Sequence, residues 1–404
     1  MKYTIKTFKA RSGERFSQLY EALGPGLPLF YPTAFIARSV RPAAAHNTQK
    51  VYLAAIKRIC EWEALLNIDL AHSFGSAIFL TSAQVDDLAN SLRARKSGAK
   101  NDVIGAAKYN TYVAYAADYL RWLAYEVSEE PLTVETRTSI EAQNTSLMSK
   151  KRRRAGSKHA REQRIVTSHL HPEANIKLLE LFDMPLMDLK EIHNFGPRFR
   201  NIVMIRILYE TGMRVGELLS LKLKSFIEAG GDGSAYLLIE RNHHDELDTR
   251  LHQPVAKTQS RKLPISKRLE EQLSEYLENW RAIVPGVGFS DEDFIFIVHR
   301  SGITQGYPLP KSSFEAGLAN LKIKYPPLLD IHPHLLRHDW NYRFSIQADR
   351  AGMAALDERT LREQLMGWTP DSLMSKIYNF RYIEEKSLEV GLLIASDSIR
   401  RPND

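Results

Sequence analysis

The chain has 404 residues, 44% of them apolar and 25% charged, which suits a globular protein of about two domains. No apolar run approaches the ~20 residues that cross a bilayer, and the opening "MKYTIKTFKARSGERF" lacks a signal peptide's apolar core, so a cytoplasmic protein without a membrane partner is expected. A net charge of +7 permits a polyanionic partner without requiring one.

Residues 1–45 have no pattern that assigns a role. "YTIKTFKARSGERF" suits a short hairpin turning at Ser12-Gly13, and "GPGLPLFYP" reads as a loop. Gly24 and Gly26 follow no strand and open no clear helix, which argues against a phosphate loop. A helical domain is expected over 46–145. Tyr52, Ile56, Ile59 and Leu66 recur at helix spacing, and the lone cysteine, Cys60, fits that core as a small apolar residue. Thr81 and Gln84 have capping-box spacing before the stripe Val85, Leu88 and Leu92. Val113, Leu120, Leu123 and Val127 mark a third helix, in which Tyr109, Tyr112 and Trp122 read as core residues rather than base-stacking platforms.

Between 146 and 165 the composition shifts to Lys150, Lys151, Arg152, Arg153, Arg154, Lys158, Arg161 and Arg164 with almost no apolar residue. Such a run buries little and reads as a linker. It is either a solvated charged stretch or a tether lying along phosphates, where each neutralised phosphate adds affinity through counterion release.

The second domain, 166–404, opens with helices rich in Leu and Ile. "AYLLIE" and "RKLPIS" read as strands after the turn "GGDG", and helices then run nearly to the end. The fold class is mainly α with a small antiparallel sheet.

"DIHPHLLRHDW", residues 330–340, concentrates the polar chemistry. Pro333 suits a helix start. From there His334, Arg337, His338, Asn341 and Ser345 share one stripe, and Asp339, Arg343 and Gln347 another. Asp339 and Arg343, four apart, fit an ordinary exposed ion pair. His334 and His338 have the spacing of two zinc ligands, but Leu335 stands where a metalloprotease carries its carboxylate, and Arg337 between them would repel a metal. An anion suits Arg337 better; a buried salt bridge is the competing reading. His338 either braces that site or fills the stripe.

Other segments bear on the choice. "ILYETGMRVGELLSLKL" puts Arg214 after a Thr-Gly turn with Glu217 one turn on, able to hold it by a charged hydrogen bond. "PVAKTQSRKLPIS" puts Lys257 by the strand hairpin, with Lys262 as its alternative, and "LMGWTPDSLMSKIYNF" supplies Trp368 and Tyr378. The polar loop residues His243 and His244, and His169 and His171 near a helix start, read as solvated.

In this order the motifs "TGMRVGELLSL", hairpin lysine, "HPHLLRH", "MGW" and "IYNF" resemble the tyrosine recombinase, or phage integrase, family from about residue 165 to 382. The helical domain before them is similar to that family's core-binding domain. The resemblance implies a two-domain DNA clamp whose catalytic residues are Arg214, Lys257, His334, Arg337, Trp368 and Tyr378, with Glu217 and His338 in support. Trp368 stands where most members have histidine, and Tyr382 lies near the nucleophile position that Tyr378 matches.

The implied chemistry is strand cleavage. Arg214 and Arg337 would clamp the non-bridging phosphate oxygens, and Tyr378 would attack once the arginines and His334 favour its ionised form. The hairpin lysine would protonate the leaving 5′-oxygen. No cofactor or metal is called for. The implied partners are double-stranded DNA, four protomers on two sites with exchanged C-terminal helices, and an accessory directionality protein. For the C-terminal helix, carrying Leu388, Leu392, Leu393 and Ile394, packing on its own domain is the alternative. A binding-only regulator on the same scaffold and a type IB topoisomerase are the other functional readings.

Overall fold

The computed structural model describes residues 2–24, 26–95, 102–166, 168–231, 233–256, 258–370 and 372–396, the side chains of 166, 373, 375, 376 and 379–386 excepted. The chain divides into two compact units, Met1–Ser157 and Lys158–Asp404.

In the first unit β1 (Tyr3–Lys9) pairs antiparallel with β2 (Arg15–Glu21), Phe8 opposite Phe16. Gly13 supplies the positive φ that the turn needs. Six helices follow: α1 (Phe30–Phe35), α2 (His46–Leu66), α3 (Leu70–Gly75), α4 (Ser82–Arg93), α5 (Ala106–Val127) and α6 (Val134–Ser149). The Thr81–Gln84 capping box opens α4 with both reciprocal hydrogen bonds made. Leu53, Ile56, Val85, Leu88, Val113, Leu120 and Ile140 join in one core, to which the hairpin adds Tyr3 and Leu19. Tyr109 and Tyr112 are buried in it and Trp122 packs against it, as does Cys60.

The basic run expected as a linker over 146–165 is non-helical only from 150 to 157. Its start is tied to the first unit: Lys150 pairs with Asp86 at 2.5 Å, and the Arg152 backbone exchanges two 2.8 Å hydrogen bonds with the Asn110 amide. Its end forms α7 (Lys158–Val166), whose Ile165 packs beside Trp368 and Tyr378. Ile165 thus gives this charged segment an apolar contact within the second unit.

The second unit continues with α8 (Pro172–Asp183), α9 (Phe195–Thr211), α10 (Val215–Leu218), β3 (Phe226–Ile227), β4 (Tyr236–Ile239), β5 (Arg261–Pro264), α11 (Lys267–Glu275), α12 (Lys311–Lys324), α13 (Pro333–Arg350), α14 (Ala355–Met366) and α15 (Leu373–Ser396). The strands form one antiparallel sheet in the order β3-β4-β5, with Leu237 opposite Leu263. Helix α9 is apolar nearly all round, burying Ile202, Val203, Met204, Ile205, Ile207 and Leu208, the pattern of a helix enclosed on every side. Helix α13 lies against it.

Asp339 of α13 corrects the expectation of an exposed ion pair. It is buried and accepts from the Leu170 N–H at 2.9 Å as well as from Arg343 Nε at 2.8 Å. Spacing four along a helix suits a surface pair and a buried one alike; the arrival of Leu170 decides. Asp339→Ala leaves that buried N–H without its acceptor and is expected to cost about 1–3 kcal/mol, read as a lower urea midpoint. An unchanged midpoint would mean the carboxylate contributes nothing to stability.

Candidate active site

Arg337 becomes the centre of a site because separate chain segments end beside it. Helix α9 stops at Gly212 and α14 at Gly367, both left-handed, with φ of +62° and +63°. At each, a side chain would collide: a Cβ on Gly212 would lie 2.8 Å from Trp340 Cγ, and one on Gly367 2.7 Å from Arg261 Nη1. The two tight stops aim carbonyls inward, and Arg337 donates to both, to Gly212 O at 2.7 Å and Met366 O at 3.2 Å. Carbonyls at helix C-termini carry partial negative charge and suit a cation.

No ion pair neutralises Arg337 among the described residues. Burial, then the positive charge of Arg214, lowers its pKa to about 9, with nearby Glu217 opposing; it remains a cation at pH 7. This decides against a buried salt bridge at Arg337.

Arg214 caps α10 at 36% side-chain exposure. The charged hydrogen bond expected from Glu217 to its guanidinium is long, 3.5 Å. Glu217 instead binds the Arg214 backbone N–H at 3.0 Å, Thr258 Oγ1 at 2.6 Å and Arg261 Nη2 at 2.8 Å. Burial would raise this carboxyl, but the charge and hydrogen bond of Arg261, then Thr258 and the Arg214 N–H, hold it below its usual value. Arg261 also reaches Leu365 O at 2.7 Å, joining β5 to the end of α14. Its role has no signal in the sequence, where it is one cation among several by the hairpin.

Lys257 lies outside the described residues. Lys262 is exposed on β5, and its ammonium sits 4.7 Å from the Tyr236 ring centroid. Strand neighbours point to opposite faces; since Arg261 turns toward Glu217, Lys262 turns away.

On α13 the capping residue is His332, whose Nδ1 accepts from the Leu335 N–H at 3.0 Å. His334 is exposed. Partial desolvation, then His332, Arg337 and Arg214, lowers its pKa. His338, one turn on, places Nδ1 in hydrogen-bond contact with the Tyr378 hydroxyl. The histidine at the phenol is therefore His338, not His334. Burial, then His334, Arg337 and His332, lowers the His338 pKa to about 4, so its ring is neutral at pH 7.

Tyr378, on α15, is buried with its ring stacked on Trp368 at 5.5 Å and 12°. The Arg362 guanidinium lies 5.8 Å from its centroid and is itself paired with Glu358. Burial pushes the Tyr378 hydroxyl up to about 12, against the pull of Arg337 and Arg362. Trp368 is buried, and its indole Nε1 finds no partner among the described residues, while Arg337 lies 5.5 Å from its ring. Arg214, His334, Arg337, His338, Trp368 and Tyr378 thus come together in one chain. Of Tyr382 only the backbone is described.

Residues 186–380 match the model of the phage integrase family. It is 32% identical over 160 residues to tyrosine recombinase XerC of Bacillus licheniformis, a match covering 39% of this chain and 45% of that protein. To the XerC of Bacillus pumilus it is 32% identical over 140 residues, 34% and 38% of the two chains. The match spans less than half the length of these curated relatives. Among solved structures, XerH site-specific recombinase bound to a palindromic difH substrate aligns at TM-score 0.41 and 19% identity, over 78% of this chain and 85% of that one. The Tn1549 transposon integrase in complex with circular intermediate DNA aligns at 0.48 and 16%, over 88% and 97%.

Glu217 neutralises Arg261 where both are buried, and Glu217→Ala leaves that guanidinium unpaired. A destabilisation of about 3–5 kcal/mol is expected, measured by chemical denaturation. A value below about 1 kcal/mol would mean the pair is no support for the site.

Proposed function

We propose that the protein is a site-specific DNA recombinase that cleaves and rejoins strands through a 3′-phosphotyrosyl intermediate. The observation that carries this is Arg337: a buried cation, held on carbonyls with no ion pair among the described residues, beside a second arginine and a tyrosine hydroxyl. A site with that charge balance calls for an anion, and a backbone phosphodiester supplies one.

Arg214 and Arg337 hold the non-bridging oxygens and stabilise the charge that gathers on them during attack. His334, at the open side, adds a donor, and the unpartnered indole N–H of Trp368 adds another. Tyr378 attacks phosphorus, its oxygen forms the new P–O bond, and the 5′-oxygen leaves. Lys257 protonates that oxygen; the turning away of Lys262 favours this choice. The bond energy kept in the phosphotyrosyl link makes rejoining independent of ATP. Glu217 acts by fixing Arg261 and the Arg214 backbone.

Double-stranded DNA is the partner, held by both units, with Lys150, Lys151, Arg152, Arg153, Arg154 and Lys158 lying along phosphates. Strand exchange needs four protomers on two duplexes. At the end of α15, Leu388, Val390, Leu392, Leu393 and Ile394 are all more than half exposed, which supports docking of this helix on a neighbouring protomer. The reaction suits the cytoplasm, where DNA is accessible.

A nicked suicide duplex tests the chemistry. The wild type is expected to form a denaturation-resistant protein–DNA adduct that Tyr378→Phe abolishes. Arg214→Ala should retain binding and form adduct about 100- to 1000-fold more slowly. An adduct persisting in Tyr378→Phe overturns the nucleophile, and binding without any adduct favours a DNA-binding regulator.

The basic run is tested by salt. Replacing Lys151, Arg153 and Arg154 by Ala should flatten the slope of log K against log salt by about 0.9 for each phosphate these side chains neutralise. An unchanged slope would return this stretch to a solvated linker.

A further inference from the structure

Resting on the strand-cleavage reading, the geometry points to His338 as the general base that takes the Tyr378 proton, with His334 serving the phosphate instead. Two independent features of the pocket support this division of labour.

The first is the contact itself. His338 Nδ1 meets the Tyr378 hydroxyl directly, within the reach that a proton acceptor needs. His334, one helical turn earlier on the same stripe, is exposed at the end nearer Arg214, whose charge it feels along with that of Arg337. The two rings are therefore displaced along α13, His338 at the phenol and His334 within the field of Arg214.

The second is how tightly the phenol is placed. Trp368 stacks on its ring nearly in parallel, Arg362 lies beside it, and Arg362 is in turn fixed by Glu358 and by Ser345 Oγ at 2.6 Å. A ring held this way offers its hydroxyl to one acceptor rather than sweeping a cone. The groups around His338 are His332, His334 and Arg337 of its own helix and Tyr378 of α15. Burial first, and then the neighbouring His334, Arg337 and His332, keep the imidazole neutral at pH 7, so Nδ1 has a lone pair to offer when Nε2 carries the ring proton.

The need for a base is large. With its hydroxyl raised to about 12, only about one Tyr378 in 10⁵ is ionised at pH 7. Docking of a phosphate offsets the charge of Arg337, which removes part of what holds the imidazole's basicity down. The phenol also becomes more acidic as its oxygen bonds to phosphorus. The proton passes from Tyr378 Oη to His338 Nδ1 as the Oη–P bond forms and the P–O5′ bond breaks. The 5′-oxygen takes its proton from the lysine, and rejoining runs the same transfers backward.

The test uses full-length protein and a pool of nicked duplexes with a randomised target, from which those captured covalently by the wild type are recovered. His338→Gln, which can still hydrogen-bond the hydroxyl, is expected to bind these duplexes normally and form adduct about 10²- to 10⁴-fold more slowly. Putting 3-fluorotyrosine, a more acidic phenol, at position 378 should restore much of the rate in this variant and change the wild type little. A duplex with a 5′-bridging sulfur, whose thiolate leaves without a proton, should not rescue it.

An adduct rate within about threefold of wild type overturns the inference. So does a slow variant that fluorotyrosine leaves slow, which marks a packing role, or one that the sulfur substrate rescues, which moves His338 to the leaving group. Failure of the wild type to capture any duplex would instead overturn strand cleavage itself, and the inference with it.

Discussion

A buried guanidinium, Arg337, without a carboxylate partner among the described residues is the constraint around which the second unit is arranged. Removing such a cation from water costs several kcal/mol, and hydrogen bonds to charged groups return about 1.5–3 kcal/mol each. Arg337 donates two, to the carbonyl of Gly212 and to that of Met366. Both acceptors stand at the C-terminal end of a helix, where the backbone dipoles favour positive charge. Those ends reach Arg337 only because glycine closes each helix in the left-handed region where a side chain would strike Trp340 or Arg261. What the carbonyls leave uncompensated is positive charge, and the proposed phosphate contact draws on it.

The neighbouring charges follow a different rule. Arg261 is neutralised by Glu217, and Arg362 by Glu358, each pair buried. These arginines brace: Arg261 links β5 to the last turn of α14, and Arg362 stands beside the Tyr378 ring. Arg214 and Arg337, by contrast, have at most a long contact to a carboxylate among the described residues. The bracing cations thus carry their counterions, and among the described residues Arg214 and Arg337 have no close one. The buried phenol stacks on the indole of Trp368, whose Nε1 has no partner among the described residues.

Local signals in the sequence were legible. Pro333 opens α13, Thr81 and Gln84 cap α4, and "AYLLIE" and "RKLPIS" pair as adjacent strands. The polar motifs hold Arg214, His334, Arg337, Trp368 and Tyr378, which the fold brings together, while Lys257 of the same set lies outside the described residues. What escaped depends on contacts between distant segments. Arg261 and Glu217 lie 44 positions apart, and such a pair leaves no periodic trace. Asp339 and Arg343 have the spacing of a surface pair, and it is Leu170, 169 residues from Asp339, that meets the buried carboxylate. His334 and His338 share a helical stripe, so α13 alone could not tell which one meets Tyr378; the placement of α15 does. Ile165 similarly carries no pattern by itself, yet it docks the end of a segment that otherwise reads as linker.

The most direct measurement is a structure of the protein with orthovanadate and a duplex interrupted at the scissile position, since vanadate adopts the five-coordinate geometry of phosphoryl transfer. The account predicts vanadium bonded to Tyr378 Oη, with Arg214 and Arg337 donating to its equatorial oxygens. Vanadium bound away from Tyr378, or an Arg337 that makes no contact with its oxygens, would contradict it.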